Sequence, residues 1–206
     1  MLEEFRGSGA VVMAIPAGGV PVAAEIARAL GLPLDLAIVS KITLPWDTEA
    51  GYGAVAWDGT AQLNEEMRFY FLLSDKVVDD GIRHATEKVQ RRVETLRGDR
   101  PMAEVAGRAV ILVDDGLASG FTMKVAIEAL RREGAARIIV AVPTAPAHTA
   151  ATMEELAEEV YCANVRDTGR FAVAAAYREW HDVSEREAKA TLDAFAEGQV
   201  LPTPRG

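Results

Sequence analysis

Two adjacent carboxylates, Asp114 and Asp115, follow directly on the apolar run Val110-Ile111-Leu112-Val113. The small-residue stretch Gly116-Leu117-Ala118-Ser119-Gly120-Phe121-Thr122 comes next, and then a helical pattern begins. Neighbouring acids at a strand end can each accept a hydroxyl hydrogen bond, so together they suit a vicinal diol such as ribose O2 and O3. A small-residue loop at a helix start can turn several backbone N–H groups toward one phosphate, where the helix dipole favours an anion. A diol and a phosphate one turn of chain apart describe a ribose 5-phosphate.

Other chemistries fit these residues less well. Asp-Gly alone is turn chemistry. A Walker-type loop requires Gly-Lys-Ser/Thr at the helix start, whereas Gly120 is followed by Phe121-Thr122 and Lys124 falls inside the helix. A Ser119 nucleophile requires glycine two residues earlier, and residue 117 is leucine. A response-regulator acid pocket would sit near the first strand, not in mid-chain.

The segment Val110 to Thr122 resembles the phosphoribosyl diphosphate (PRPP) motif of type I phosphoribosyltransferases: four apolar residues, two acids, two apolar residues, then small and hydroxyl residues around a glycine. Gly116 departs from it, since a larger apolar residue is usual there, and glycine is expected to loosen the turn. From about Ala14 to Phe195 the order of elements is similar to a bacterial and archaeal branch of that family. Pro16-Ala17-Gly18-Gly19 resembles its pyrophosphate loop. Lys41 with Gly51, Gly53, Ala54, Val55 and Ala56 resembles its second strand and flexible loop. Leu63-Asn64-Glu65 and Tyr177-Arg178-Glu179 also fit its pattern.

The resemblance implies Mg²⁺-dependent displacement of pyrophosphate from PRPP by a nitrogenous base or related amine. Asp114 and Asp115 would hold the ribose diol and bear on Mg²⁺ indirectly, through water or ligand. Gly116, Leu117, Ala118, Ser119, Gly120, Phe121 and Thr122 would bind the 5-phosphate. Pro16, Ala17, Gly18 and Gly19 would meet the pyrophosphate, and Lys41 would neutralise it once the segment Thr43 to Gly53, expected to be a mobile loop, closes. The family's loop usually carries a basic residue where this chain has Ala17, which removes a charge for the leaving group. That departure motivates the alternative of a non-catalytic PRPP- or nucleotide-binding regulator of the same fold.

The elements needed to position these residues are legible as periodicity. Ala10 to Ile15, Leu36 to Val39, Val110 to Val113 and Ile138 to Val142 read as strands buried on both faces. Between the first two, Val20, Ala23, Ile26, Ala27 and Leu30 mark one helix face, stopped by Gly31. A second helix, Thr122 to Arg132, ends near Gly134. These βαβ units predict an α/β fold with a mostly parallel five-stranded sheet flanked by helices. Residues 54 to 64 read as a hairpin turning at Asp58-Gly59. Ser74 caps a long helix to about Gly98, with His84 a surface or core histidine on it. Thr149 to Glu159 is a further helix, Val160 to Ala163 and Phe171 to Ala174 are short apolar stretches, and Ser184 to Glu187 is a capping box opening a last helix.

Two parts of one domain are expected: a PRPP-binding core over 1–145, and the last core elements with a C-terminal hood over 146–206. The first strand begins near the start of the chain, so the hood and base-binding surface should come from about 160–206, with Phe171, Tyr177 and Trp180 as stacking candidates, and Trp46 a more distant one. Residues 200 to 206 read as a tail.

Bulk properties agree. The chain has 206 residues, 50% of them hydrophobic, enough for one good core. Net charge is −9, and no Lys/Arg cluster suggests a nucleic-acid surface. One cysteine, Cys162, excludes an internal disulfide framework and reads as a buried thiol. No apolar run approaches the roughly 18 residues of a membrane span, and Met1-Leu-Glu-Glu-Phe-Arg is no basic signal region. A cytoplasmic protein without membrane or nucleic-acid partners is expected, and a homodimer follows from the resemblance alone.

Overall fold

Strands without a polar face need cover on both sides, and the core is built around three of them. The computed structural model describes residues 1–167 and 171–198, apart from the side chains of Thr48 and Glu49, so the expected tail at 200–206 lies outside the described residues. A short 3₁₀ turn, Glu3–Phe5, leads into β1 (Val11–Ala14), and helix α1 (Gly19–Leu30) ends at Gly31 in the left-handed region, φ 65°. β2 (Leu34–Leu36) then pairs with β1. After an excursion through residues 39–97 the chain returns as β6 (Ala109–Val113), α4 (Phe121–Arg132), β7 (Arg137–Pro146), α5 (Ala147–Glu154) and β8 (Glu159–Arg166), and it closes with a 3₁₀ turn at Val173–Ala176 and α6 (Glu185–Ala196).

The five strands order as β2-β1-β6-β7-β8, every neighbouring pair parallel. Alternation sorts their side chains. Val11, Met13, Val110, Leu112, Ile138 and Val140 pack with α4 and α5 on one face. Val12, Ala14, Ile111, Val113, Ile139 and Ala141 pack with α1 and α6 on the other. Fully burying one such aliphatic side chain contributes about 1.5–3 kcal/mol.

The excursion builds a second, antiparallel sheet: β3 (Val39–Leu44), β4 (Asp47–Ala56) and β5 (Ala61–Leu63). This corrects two expectations. The run 36–39 is not one strand, because β2 ends at Leu36 and β3 starts at Val39 in the other sheet. The stretch 43–53, expected as a loop, is mostly paired strand, with Thr43 opposite Gly51 and irregular register at the tip. The β4–β5 turn falls at Asp58-Gly59 as expected, with φ 86° at Gly59.

A short helix missed by periodicity, α2 (Glu65–Tyr70), precedes α3 (Asp75–Arg92). Ser74 caps α3 by accepting from the Val77 amide, and a π-helical turn, Val93–Arg97, ends at Gly98. Val78 and Ala85 of α3 pack on Ile42, Leu44, Tyr52 and Val55 of the hairpin. The capping box at Ser184 and Glu187 is formed. Helix α5 is shorter than expected, stopping at Glu154, and Cys162 lies half-buried on β8, its thiol pushed up by burial. No helix among the described residues is long and apolar enough to cross a membrane.

Candidate active site

β1 and β6 lie side by side and run the same way, with Ala14 opposite Val113. The chain leaves β1 through α1 on one face of the sheet and leaves β6 through α4 on the other. Their C-terminal ends therefore open a crevice at the point where the strand order reverses, the usual ligand position in open α/β sheets. Two loops expected to act together meet there. The Ile15 amide donates to the Val113 carbonyl at 2.8 Å, so Pro16-Ala17-Gly18-Gly19 and Asp114-Asp115 start from neighbouring atoms.

The fit between these loops explains both glycines. A Cβ on Gly18 would overlap the Asp115 carboxylate. One on Gly19 would lie 2.8 Å from the Val113 carbonyl oxygen and 2.9 Å from the Asp114 Cα, closer than real side chains approach. The peptide joining Pro16 and Ala17 is cis. Gly19 also begins α1, so its dipole points at the crevice.

Asp114 and Asp115 are half-buried, and Asp114 accepts the Asp115 amide at 2.9 Å. Burial, and then the neighbouring Asp115 charge, push Asp114 well above the usual carboxylate range. Burial raises Asp115 as well, with the Asp182 charge adding to it. Lys41 opposes the rise at both acids. The pair thus stands poised for hydroxyl donors or a cation.

The loop after the acids is shaped by contacts from distant elements. Leu117 donates to the Thr144 carbonyl at 2.9 Å, and Thr149 of α5 donates its hydroxyl to the Ala118 carbonyl at 2.8 Å. Gly120 sits at φ 71°, and a Cβ there would meet the Thr149 Cγ2 at 2.8 Å. The Ser119 hydroxyl accepts from the Phe121 amide at 3.4 Å, just ahead of α4, whose N-cap is Gly120. Ala118 and Ser119 are exposed, and the early amides of α4 have no intrahelical acceptor, as at any helix start. The arrangement can receive a phosphate.

Gly116 corrects an expectation. It does not loosen the turn. It is buried, and Val173 of the C-terminal 3₁₀ turn fills the space a side chain would need, 2.7 Å from the absent Cβ. The apolar group usual at this position is supplied from another part of the chain.

The same C-terminal segment roofs a cavity of about 470 Å³ lined by Gly18, Asp115, Tyr177, Glu179 and Trp180, among others. The Tyr177 hydroxyl donates to the Asp115 carbonyl at 2.6 Å, and burial, then the acid pair, push it up to about 12, so it stays a donor across the working pH range. Tyr177 and Trp180 meet edge to face at 5.0 Å. The structure therefore brings two of the three aromatic candidates together. Phe171, half-buried ahead of the 3₁₀ turn, is not among the lining residues. Trp46 is 63% exposed at the hairpin tip, edge-on to Phe71 at 6.0 Å. Lys41 lies on β3 opposite Ala54 and lines a different cavity. Thr144, Thr149 and Val173 were missed by sequence reasoning, since no spacing marks a residue that shapes a loop some 25 or more positions away. Among the described residues no group of three or more His, Cys, Asp or Glu side chains converges to hold a metal unaided.

Comparison with known proteins agrees with this geometry. The profile of the phosphoribosyl transferase domain matches residues 61–180. Rv0571c of Mycobacterium tuberculosis, named provisionally as a phosphoribosyl transferase, is 36% identical over 204 residues. That match takes in 97% of this chain and 46% of the relative, so the chain spans about half the length of its curated relative. The crystal structure of TT1426 from Thermus thermophilus is similar over 90% of this chain and 87% of that one, with 34% identity and a TM-score of 0.73. With this fold, this crevice and these matches, the chain belongs to the type I phosphoribosyltransferase family.

Proposed function

We propose that the protein transfers the 5-phosphoribosyl group of PRPP to a nitrogenous base or related amine, releasing pyrophosphate. The observation that carries this reading is the meeting of Gly18-Gly19 with Asp114-Asp115 at the β1/β6 crevice, beside a loop shaped for phosphate. Asp114 and Asp115 hold the ribose hydroxyls, and their charge faces the carbon that becomes cationic as the pyrophosphate bond breaks. Residues 116–122 hold the 5-phosphate, and Pro16, Ala17, Gly18 and Gly19 lie along the pyrophosphate. The acceptor nitrogen enters from the Tyr177 and Trp180 side. In this reading the core over 1–145 binds the donor and 146–206 supplies the acceptor surface.

Mg²⁺ fits these residues. It uses one or two carboxylates together with phosphate and water oxygens, and among the described residues the half-buried acid pair offers that much, with no third such side chain converging on it. Asp114 and Asp115 would hold it through water or ligand, and the chemistry it would supply is charge neutralisation at the pyrophosphate. The setting we infer is a cytoplasmic homodimer without nucleic acid or membrane. The exposed Trp46, Phe69, Tyr70 and Leu72 offer apolar surface for self-association.

Ala17 supports a second reading, a non-catalytic protein that binds PRPP or a nucleotide. Pyrophosphate release from PRPP and Mg²⁺ across a panel of purines, pyrimidines and simple amines separates the two. Release with one acceptor establishes the transferase and names its substrate. Saturable PRPP binding with silence across the panel supports the regulator.

A further inference from the structure

A cavity of about 590 Å³ lies between the β3–β4 hairpin and α3, and the reading above touches it only at Lys41. Its helical wall is Val77, Asp80, Gly81, His84, Ala85 and Lys88, spaced as one face of a helix. The two walls are keyed together. A Cβ on Gly81 would overlap the Tyr52 hydroxyl and lie 2.8 Å from Ile42 Cγ2, and Tyr52 donates to the Val77 carbonyl at 3.2 Å.

The charge of this cavity runs against that of the chain. In a protein of net charge −9, Lys41, Lys88 and His84 line it, and Asp80, the one carboxylate among its lining residues, is engaged by Arg83 at 2.6 Å. Lys88 stands exposed at the rim; partial burial of its ammonium, then the neighbouring Arg92, lower it below its ordinary range, Glu185 opposes the shift, and Arg91 and Lys41 add to it. Lys41 acts on Lys88 and also on both Asp114 and Asp115. Lys41 is therefore the group of this cavity that reaches electrostatically to the acid pair.

We propose that Lys88 of α3, together with Lys41, forms a cationic mouth that holds the pyrophosphate group of the donor, supplying from a helix the charge that the pyrophosphate loop lacks at Ala17. This rests on the assignment of the ribose-phosphate site made above. Lys88 would be a binding residue for the leaving group, and its charge is what matters.

Calorimetric titration of the full chain with magnesium pyrophosphate, and separately with ribose 5-phosphate, tests it. Lys88→Gln is expected to weaken pyrophosphate binding about tenfold, the size of one charge-assisted hydrogen bond, and to leave ribose 5-phosphate unaffected. Lys88→Arg should keep the affinity, and Ala17→Arg added to Lys88→Gln should restore most of it. Unchanged pyrophosphate affinity in Lys88→Gln overturns the proposal. Wild-type protein that binds ribose 5-phosphate but not pyrophosphate also overturns it and leaves the ribose-phosphate assignment standing. Pyrophosphate binding that depends on Lys88, in a protein indifferent to ribose 5-phosphate, supports the anion site and removes the assignment beneath it.

Discussion

The cavity beneath the β3–β4 hairpin and the cavity beneath the C-terminal segment have opposite chemistry. The first carries Lys41, Lys88 and His84 against a single engaged carboxylate. The second carries Asp115, Glu25, Glu179 and Glu187 against Arg28 and His181, with two aromatic rings. Their construction differs as much as their charge. The hairpin cavity has walls of paired strand and continuous helix, locked by Tyr52 and Gly81. The C-terminal cavity is roofed by a stretch with only a four-residue 3₁₀ turn, hung on Val173 against Gly116 and on the Tyr177 hydroxyl. In the proposed transfer, the cationic side would suit the polyphosphate of the donor, and an aromatic side held by a few side-chain keys would suit the acceptor.

The strongest way to break this comparison is to remove the acid pair, of which Asp115 lines the C-terminal cavity and both members feel Lys41 of the hairpin cavity. Asp114→Asn with Asp115→Asn should lower turnover by about a thousandfold or more, as measured by pyrophosphate release. The same variant should melt at a higher temperature near neutral pH. Both acids have folded-state pKa values raised by burial, so between the ordinary Asp range and those raised values the folded chain holds more protons than the unfolded one. Stability therefore falls as pH rises through that window. The gain in Tm of the double variant over wild type should grow with pH, at roughly 2–4 °C for each kcal/mol relieved. A Tm difference that does not change with pH would count against a charged, desolvated pair.

Gly18→Ala comes next. Its new methyl group must displace the Asp115 carboxylate, so ribose 5-phosphate binding and turnover should both drop by about a hundredfold, at a stability cost of about 1–3 kcal/mol. Normal ribose 5-phosphate affinity would show that the two loops do not share a ligand.

The remaining variants sharpen the contrast at the contacts that hold the C-terminal segment in place. Gly116→Leu restores the residue usual in the family motif but collides with Val173, and about 1–3 kcal/mol of destabilisation is expected by denaturant titration. Val173→Ala should recover part of that loss, a coupling that a double-mutant cycle reads directly. Tyr177→Phe is milder. It removes one hydrogen bond, worth about 0.5–1.5 kcal/mol, and should raise the acceptor KM several-fold with pyrophosphate affinity unchanged. Equal effects on both ligands would mean that the two cavities are one.

How much could be read beforehand varied with how each element is buried. β1, β6 and β7 are covered on both faces, which leaves uninterrupted apolar runs, and all three were legible. The hairpin strands β3 and β4 mix Thr43, Gly51 and Gly53 among apolar residues, so residues 43–53 read as a loop. Pairing across the hairpin and packing on α3 make it sheet. Helix α2 escaped because it has no buried face, with Phe69 and Tyr70 standing in solvent. In the candidate site, the acid pair and its loop were legible because their chemistry is contiguous in sequence. Lys88 was not, because a lysine on a long helix looks like any solvated charge until a hairpin closes over it.

The chain alone determined the βαβ units around β1, β6 and β7, the acid pair at a strand end and the glycines beside it, because these are properties of neighbouring residues. Only the tertiary structure decided that Gly18 faces Asp115, that Val173 occupies the space over Gly116, and that Lys41 and Lys88 share a wall. Those contacts join residues from 47 to 97 positions apart. Local spacing carries no record of them, because they arise when strands pair and helices dock.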